Sequence, residues 1–209
     1  FTLGFILISV LAFIFLFPIY WMIKCAIQPS YYAIQIPPEF IPTKFTLLNF
    51  KKLFTKTYAL RWFLNSVIVA GASTVLTVFF SSLSGYAFAK KQFVGKEVIF
   101  WILLTAMMVP KQVTMVPLYI LMNSYGLYNT YHGQYLPMVA WPFGLFMMKQ
   151  FMQGIPNDII HSAKIDGANE WQIFSRVIIP MSLPAIATVG IFSFVNTWND
   201  YMWQLVIVK

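Results

Sequence analysis

The 209 residues carry 59% hydrophobic side chains and only 10% charged ones, with a mean hydropathy of +0.72. Soluble domains run at roughly 25% charged residues, so this composition excludes a water-soluble globule and describes a membrane protein. A net charge of +8 would point to nucleic acid in a soluble domain, but here the cations sit in loops flanking apolar runs, as juxtamembrane residues do.

Charge-free runs of 23 residues (Phe1 to Ile23), 28 (Trp62 to Ala89), 37 (Gln112 to Met148) and 23 (Val177 to Asn199) punctuate the chain. Roughly 20 apolar residues cross the hydrocarbon core. Backbone groups in lipid must be satisfied within the segment, which predicts helices, and weak period-2 alternation argues against a β-barrel. The first segment, about 1–23, lacks an initiator Met, a basic leader and a small-residue cleavage site. It is expected to be a span and not a signal peptide, with the natural N-terminus upstream. The lone Cys25 excludes an internal disulfide and any Cys-based metal site, and no metal is expected.

Pro29, Pro37, Pro38 and Pro42 forbid a long helix in the next stretch. Within it, Thr46 to Leu60 sets Leu47, Phe50 and Phe54 opposite Lys51, Lys52 and Lys56, an amphipathic pattern suited to the membrane surface. The second span, about 62–89, repeats small residues every fourth position at Ser73, Thr77, Ser81 and Gly85, a stripe that lets helices approach closely in lipid. A polar turn from Lys90 to Glu97 leads to a third span, about 98–119. Pro110 and Pro117 predict a kink there, and Lys111 reads as an interfacial cation. Asn123 to Gln134 reads as a loop, followed by a fourth span at about 135–151 and a fifth at about 181–198. Parity then puts the 90–97 and 149–180 loops on one side. Six cations on that side against five on the other leave the orientation undecided.

The loop at 152–180 stands apart. Pro156, Asn157 and Asp158 open a helix that Asp166-Gly167 stops, glycine being free to take positive φ at a C-cap. Asn169 starts a second helix with Gln172 three residues on, the spacing of a capping box. Trp171, Phe174, Val177 and Ile178 are expected on its apolar face. So elaborate a connection suggests a docking surface, although a helix pair packed on its own bundle explains the local pattern equally well.

The run Pro156-x-Asp158-Ile159-x-His161-Ser162-Ala163-x-Ile165-Asp166-Gly167-Ala168, closing on Ile178-Ile179-Pro180, closely resembles the EAA loop of membrane permease subunits of bacterial ABC importers. Asn65-Ser66, Ser84 to Lys90, Val109-Pro110, Val116 to Tyr119, Gly126-Leu127-x-Asn129-Thr130 and Trp198-Asn199-Asp200 look like the carbohydrate-uptake branch, of the maltose-transporter second-permease type. Two departures stand out. His161-Ser162-Ala163 replaces the usual Glu-Ala-Ala, and a sixth span expected after Trp198-Asn199-Asp200 is absent.

The resemblance implies an all-α, polytopic type I permease domain over 1–209 in the bacterial cell membrane, with five spans and a cytoplasmic coupling loop at 152–180. It implies half of a sugar translocation path, working with a second permease, two cytoplasmic ATPase subunits and an extracytoplasmic binding protein. Pro156, Asp158, His161, Ser162, Ala163, Ile165, Asp166, Gly167, Ala168, Phe174 and Pro180 would then meet the ATPase. His161 reads as a polar contact there and not as a pH switch. Asn65, Ser66, Trp198, Asn199 and Gln204 are candidates along the solute path. The chain has no phosphate-binding loop and no Ser/His/Asp grouping, so it is expected to be non-catalytic and to bind no cofactor, ATP and Mg2+ residing on the ATPase. A non-sugar solute such as a glycerophosphodiester is the alternative substrate. A secondary transporter would require intramembrane ionisable residues that these runs lack.

Overall fold

The computed structural model describes residues 2–209, with side chains from residue 4; Phe1, where the first span was placed to begin, lies outside them. Every regular element among the described residues is helical. The chain divides into two compact units, one ending at Leu64 and the other running from Asn65 to Lys209.

The first unit holds α1 (Thr2–Ala26), a 3-10 turn at Ser30–Ala33 and α2 (Leu48–Lys56). From Gly4 on, the apolar stretch of α1 buries none of its side chains within the chain, as befits a segment whose surroundings are lipid or another subunit. Asn49 ties off its C-terminus, donating from Nδ2 to Ala26 O at 3.1 Å, a group a helix end otherwise leaves unpaired, and to Gln28 O just beyond it at 2.7 Å. The proline-rich stretch forms no long helix, as its sequence required. The amphipathic segment is shorter than its pattern: extended backbone at Thr57 (φ −134, ψ 166) ends α2.

Helix α3 (Ala59–Lys90) is unbroken over 32 residues, about 48 Å at the α-helical rise. Its small-residue stripe is the seam of the second unit: Ser73, Thr77 and Ser81 are buried, and the Cα of Gly85 lies against the backbone of Met148 and Lys149. Thr197 donates to Ser73 Oγ at 3.1 Å inside this seam, the kind of interhelical polar contact that small stripes accommodate.

The remaining long elements are bent. Residues Lys96–Met108 and α5 (Lys111–Ser124) meet at 102° around Pro110, where the sequence predicted a kinked single span; the first part of that pair is α4 (Lys96–Thr105) followed by a 3-10 turn. Proline at 110 supplies no N–H and fixes φ, which suits the start of α5 but not continuation of α4. Next come α6 (Tyr131–Val139), with Pro137 inside it, and α7 (Pro142–Gln153). Then follow α8 (Asn157–Ile165), α9 (Glu170–Met181), α10 (Leu183–Trp198) and α11 (Tyr201–Ile207). The α9–α10 pair turns through 78° at Ser182.

Pro137 deprives the carbonyl of Gly133 of its i+4 donor. The indole Nε1 of Trp203 in α11 takes that place, 3.1 Å from Gly133 O and 3.2 Å from Gln134 O. Such repair by a neighbouring helix is what allows proline inside membrane helices. Gly126 (φ 69) and Asn129 (φ 55) form the left-handed corners before α6. Thr130 caps α6 by accepting from Gly133 N at 3.1 Å.

Candidate functional site

Two places in the second unit bear on the predicted residues. The first is the α8–α9 pair. Helix α8 closes with a Schellman motif: Ala168 N donates to Ala163 O at 2.9 Å and Gly167 N to Lys164 O at 3.0 Å, with Gly167 at φ 81. Helix α9 opens with the capping box its sequence announced. Gln172 N donates to Asn169 Oδ1, and Asn169 N donates to Gln172 Oε1, each at 2.9 Å.

The apolar face of α9 differs from its expected form. Residues 173–178 make a π-helical turn, whose i→i+5 pattern puts Ile173 and Ile178 on one face. Both are fully buried, whereas Trp171 is 59% exposed and Val177 only half-buried. Ile173, Ile178, Phe174 and Ile160 pack with Tyr86, Met148 and Met152. Burying each isoleucine stabilises the docked pair by about 1.5–3 kcal/mol.

The opposite side is open. Pro156, Asp158, His161, Ser162, Ile165, Asp166, Gly167 and Pro180 are exposed, Ala163 and Ala168 are half-buried, and Phe174 is buried. Ile165 is 87% exposed, an apolar side chain held out beside a shallow trough of about 350 Å3 rimmed by Asp166, Gly167, Gln172 and Arg176.

Two cations at the end of α3 hold the pair. The Lys90 ammonium donates to Gln153 O at 3.4 Å, to Ile155 O and to Asn157 Oδ1 at 3.0 Å. Lys91 donates to Glu170 Oε2, where the Tyr86 hydroxyl also donates at 3.0 Å, and Lys164 pairs with Glu170 Oε1 at 3.3 Å. The bond from Lys91 holds the Glu170 carboxyl at about 2, against burial that pushes it up, with Tyr86 and Lys164 adding to the depression. Burial pulls Lys91 down, but its bonds to Glu170 and Tyr86 outweigh this and raise it.

The second place is a cavity of about 570 Å3 between α5, α6, α10 and α11. Lys111, Gln112 and Thr114 line it from α5, Trp141 and Phe192 supply aromatic faces, and Asn196, Asn199, Asp200, Tyr201 and Trp203 close it. Lys111 Nζ lies 3.4 Å from Asn196 Oδ1 and 3.8 Å from Asp200 Oδ2. Of the predicted path residues only Asn199 lines this cavity. Asn65 accepts from the Tyr131 hydroxyl at 2.7 Å. Ser66 is exposed, Trp198 stacks on Phe194 at 5.5 Å, and the Gln204 amide is shielded from solvent with no hydrogen-bond partner among the described residues.

Residues 77–209 match the family described as binding-protein-dependent transport system inner membrane component. The chain is 34% identical over 211 aligned positions to an arabinooligosaccharides transport system permease protein of Bacillus subtilis (strain 168), covering 100% of this chain and 74% of that one. The chain belongs to this family of ABC transporter permeases. It is also 32% identical to a lactose transport system permease protein of Rhizobium radiobacter, over 97% of this chain and 73% of the relative. A crystal structure of a bacterial ABC transporter involved in the import of the acidic polysaccharide alginate superposes with a TM-score of 0.91 at 22% identity, covering 100% of this chain and 74% of that one, which establishes the fold.

This permease is thus a non-catalytic, multi-pass transport subunit of the cytoplasmic membrane, from a family whose members work with a partner permease, an ATPase and a binding protein. Nothing in the sequence of the permease singles out Lys90, Lys91 and Glu170 as a group, because the ion pair joins residues 79 apart. Parity puts the two loops on one side, but the 152–180 loop also carries Asp158 and Asp166, and nothing local marks Glu170 as the partner of Lys91. Lys111, which reads as an interfacial cation, and Asp200, which stands in a family motif, are likewise not marked as partners by the sequence.

The ion pair sets a pH window. A depressed carboxyl contributes stability above its ordinary value of 4.5 and loses it as pH falls toward about 2; a raised ammonium contributes below its ordinary 10.5 and loses it above. Amide exchange over residues 157–178, corrected for intrinsic rates, is therefore expected to show equal protection at about pH 5 and pH 8. Lost protection at the lower value would contradict the assignment.

Proposed function

We propose that this permease forms half of the translocation path of an ATP-driven importer for oligosaccharides, with the α8–α9 pair seated on a cytoplasmic ATPase. The cavity of about 570 Å3 carries the substrate side of this reading. Sugars are held by aromatic faces together with a few hydrogen-bonding groups in largely apolar clefts, and Trp141, Phe192, Asn196, Asn199 and Gln112 offer both. Relatives named for arabinooligosaccharide and lactose transport favour the same class. Lys111 and Asp200 balance one another, leaving the cavity without the cationic surplus a phosphodiester would need.

The open face of α8, with His161, Ser162 and Ile165 outward, suits a groove on a soluble partner. ATP and Mg2+ belong to that partner, and its closure would move the pair as a rigid body and swing the spans between two accesses. On this reading residues 152–180 lie in the cytoplasm, and the N-terminus is expected there too. The test is the reconstituted importer in liposomes, with its binding protein and candidate solutes. Neutral oligosaccharides are expected to stimulate ATP hydrolysis and to be taken up, and Asn196→Ala to weaken both. Stimulation by a glycerophosphodiester and by no sugar would overturn the substrate assignment.

A further inference from the structure

We infer that α3 transmits the movement of the ATPase-facing helix pair, through a clamp formed by Lys90 and Lys91 on one side and Ile155, Asn157 and Glu170 on the other. The inference rests on the reading of α8–α9 as the ATPase contact.

The chain-continuous route out of the pair is poorly made for carrying a push. Helix α9 contains the π-helical turn at 173–178 and meets α10 at 78° across Ser182. A displacement of α8 along that route meets a wide turn and then a corner, where it is spent on local bending. Helix α3 is the opposite case. From Asn65 to Lys90 it has neither proline nor break, and over about 39 Å such a helix moves as a rod. Its far end is engaged, since Asn65 accepts from the Tyr131 hydroxyl of α6 at 2.7 Å. Helix α6 in turn carries Met138 of the cavity wall.

The near end grips both helices of the pair, each at its start. Lys90 binds where the chain enters α8, at Ile155 O and Asn157 Oδ1, while Lys91 binds Glu170 at the first turn of α9. One grip would act as a hinge, but two on separate helices fix orientation as well as position. The side chains of Lys91 and Glu170 are 32% and 55% exposed, and solvent-exposed ion pairs add little to stability. The apolar core beneath, with Ile160, Ile173 and Ile178, already holds the pair in place. Glu170 is therefore a positioning residue whose charge matters when the pair is driven.

The experiment uses the whole importer in liposomes, measuring solute uptake and ATP hydrolysis in one preparation, for Lys91→Glu, Glu170→Lys and the double exchange. The single exchanges are expected to keep the ATPase bound and to lower solute transported per ATP by about fivefold or more, the range of ordinary allosteric coupling. The double exchange is expected to recover the ratio in large part, the remainder reflecting a lysine at 170 facing Lys164. An unchanged ratio in the single exchanges overturns the clamp. So does loss of the ATPase or of folded protein with no recovery in the double exchange, which would make the pair structural. A photocrosslinker at position 165 reports separately on the contact beneath the inference. It labels the ATPase in all variants if the pair is that contact. Labelling in none removes that reading and the drive assigned to α3 with it.

Discussion

Replacing Gly85 with valine is expected to remove folded permease from the membrane. A Cβ at this position would stand 2.5 Å from Met148 Cβ and 3.0 Å from Lys149 N and Met148 C. Two of these are backbone atoms of α7, so no side-chain rotation makes room and the two helices must separate. Overpacking of this kind costs about 3 kcal/mol or more when the backbone has to move, a large share of the roughly 5–15 kcal/mol that holds a domain together. Separation of α3 from α7 also opens the contact of Ser81 with Gly144, which a Cβ at Gly144 shows to be equally tight at 2.4 Å from Ser81 Oγ. Fluorescence-detected size exclusion of a tagged chain in its complex should show the main peak lost for Gly85→Val and reduced for Gly85→Ala. Gly71→Ala on the same helix, with nothing within 4 Å, serves as the control and should elute as wild type. A monodisperse Gly85→Val with unchanged melting temperature would refute the close approach.

Gly167→Leu is expected to behave in the reverse manner, with assembly preserved and coupling lost. The position has open space around it and a φ of +81, so the penalty is backbone strain of about 1–2 kcal/mol and not a clash. That is too little to unfold the chain, but the new side chain would stand in the trough beside Asp166 and Arg176. It would also weaken the Schellman close that sets the angle between α8 and α9. Insertion and elution should match wild type, while solute-stimulated ATP hydrolysis falls by about tenfold or more. Gly167→Asn, which tolerates left-handed backbone, should stay near wild type. Normal stimulation in the leucine variant would sink the reading of this turn as part of the ATPase contact.

What the sequence disclosed follows from how local each signal is. Asn169 with Gln172 and the Asp166-Gly167 stop act within a few residues, and both appear in the structure as their spacing requires. The stripe from Ser73 to Gly85 declares a close-packed face without saying what packs on it, and α7 and α10 turned out to be the neighbours. The π-helical turn was illegible because it shifts the period from 3.6 residues, exchanging Trp171 for Ile173 on the buried face. Pairings across long separations left no trace: Lys91 with Glu170, and Lys111 with Asn196 and Asp200, depend on which elements the fold brings together. The cavity is likewise a property of bends, because the 102° turn at Pro110 aims the start of α5 toward Asp200.

The repair of α6 by Trp203 has a consequence for biosynthesis. The carbonyl of Gly133 is made 70 residues before the indole that satisfies it. While those residues are being added, α6 holds an unanswered acceptor, which the hydrocarbon core penalises. The donor that completes α6 thus comes from the last helix of the second unit, so the acceptors around Pro137 are answered within the protein only once α11 has packed on them.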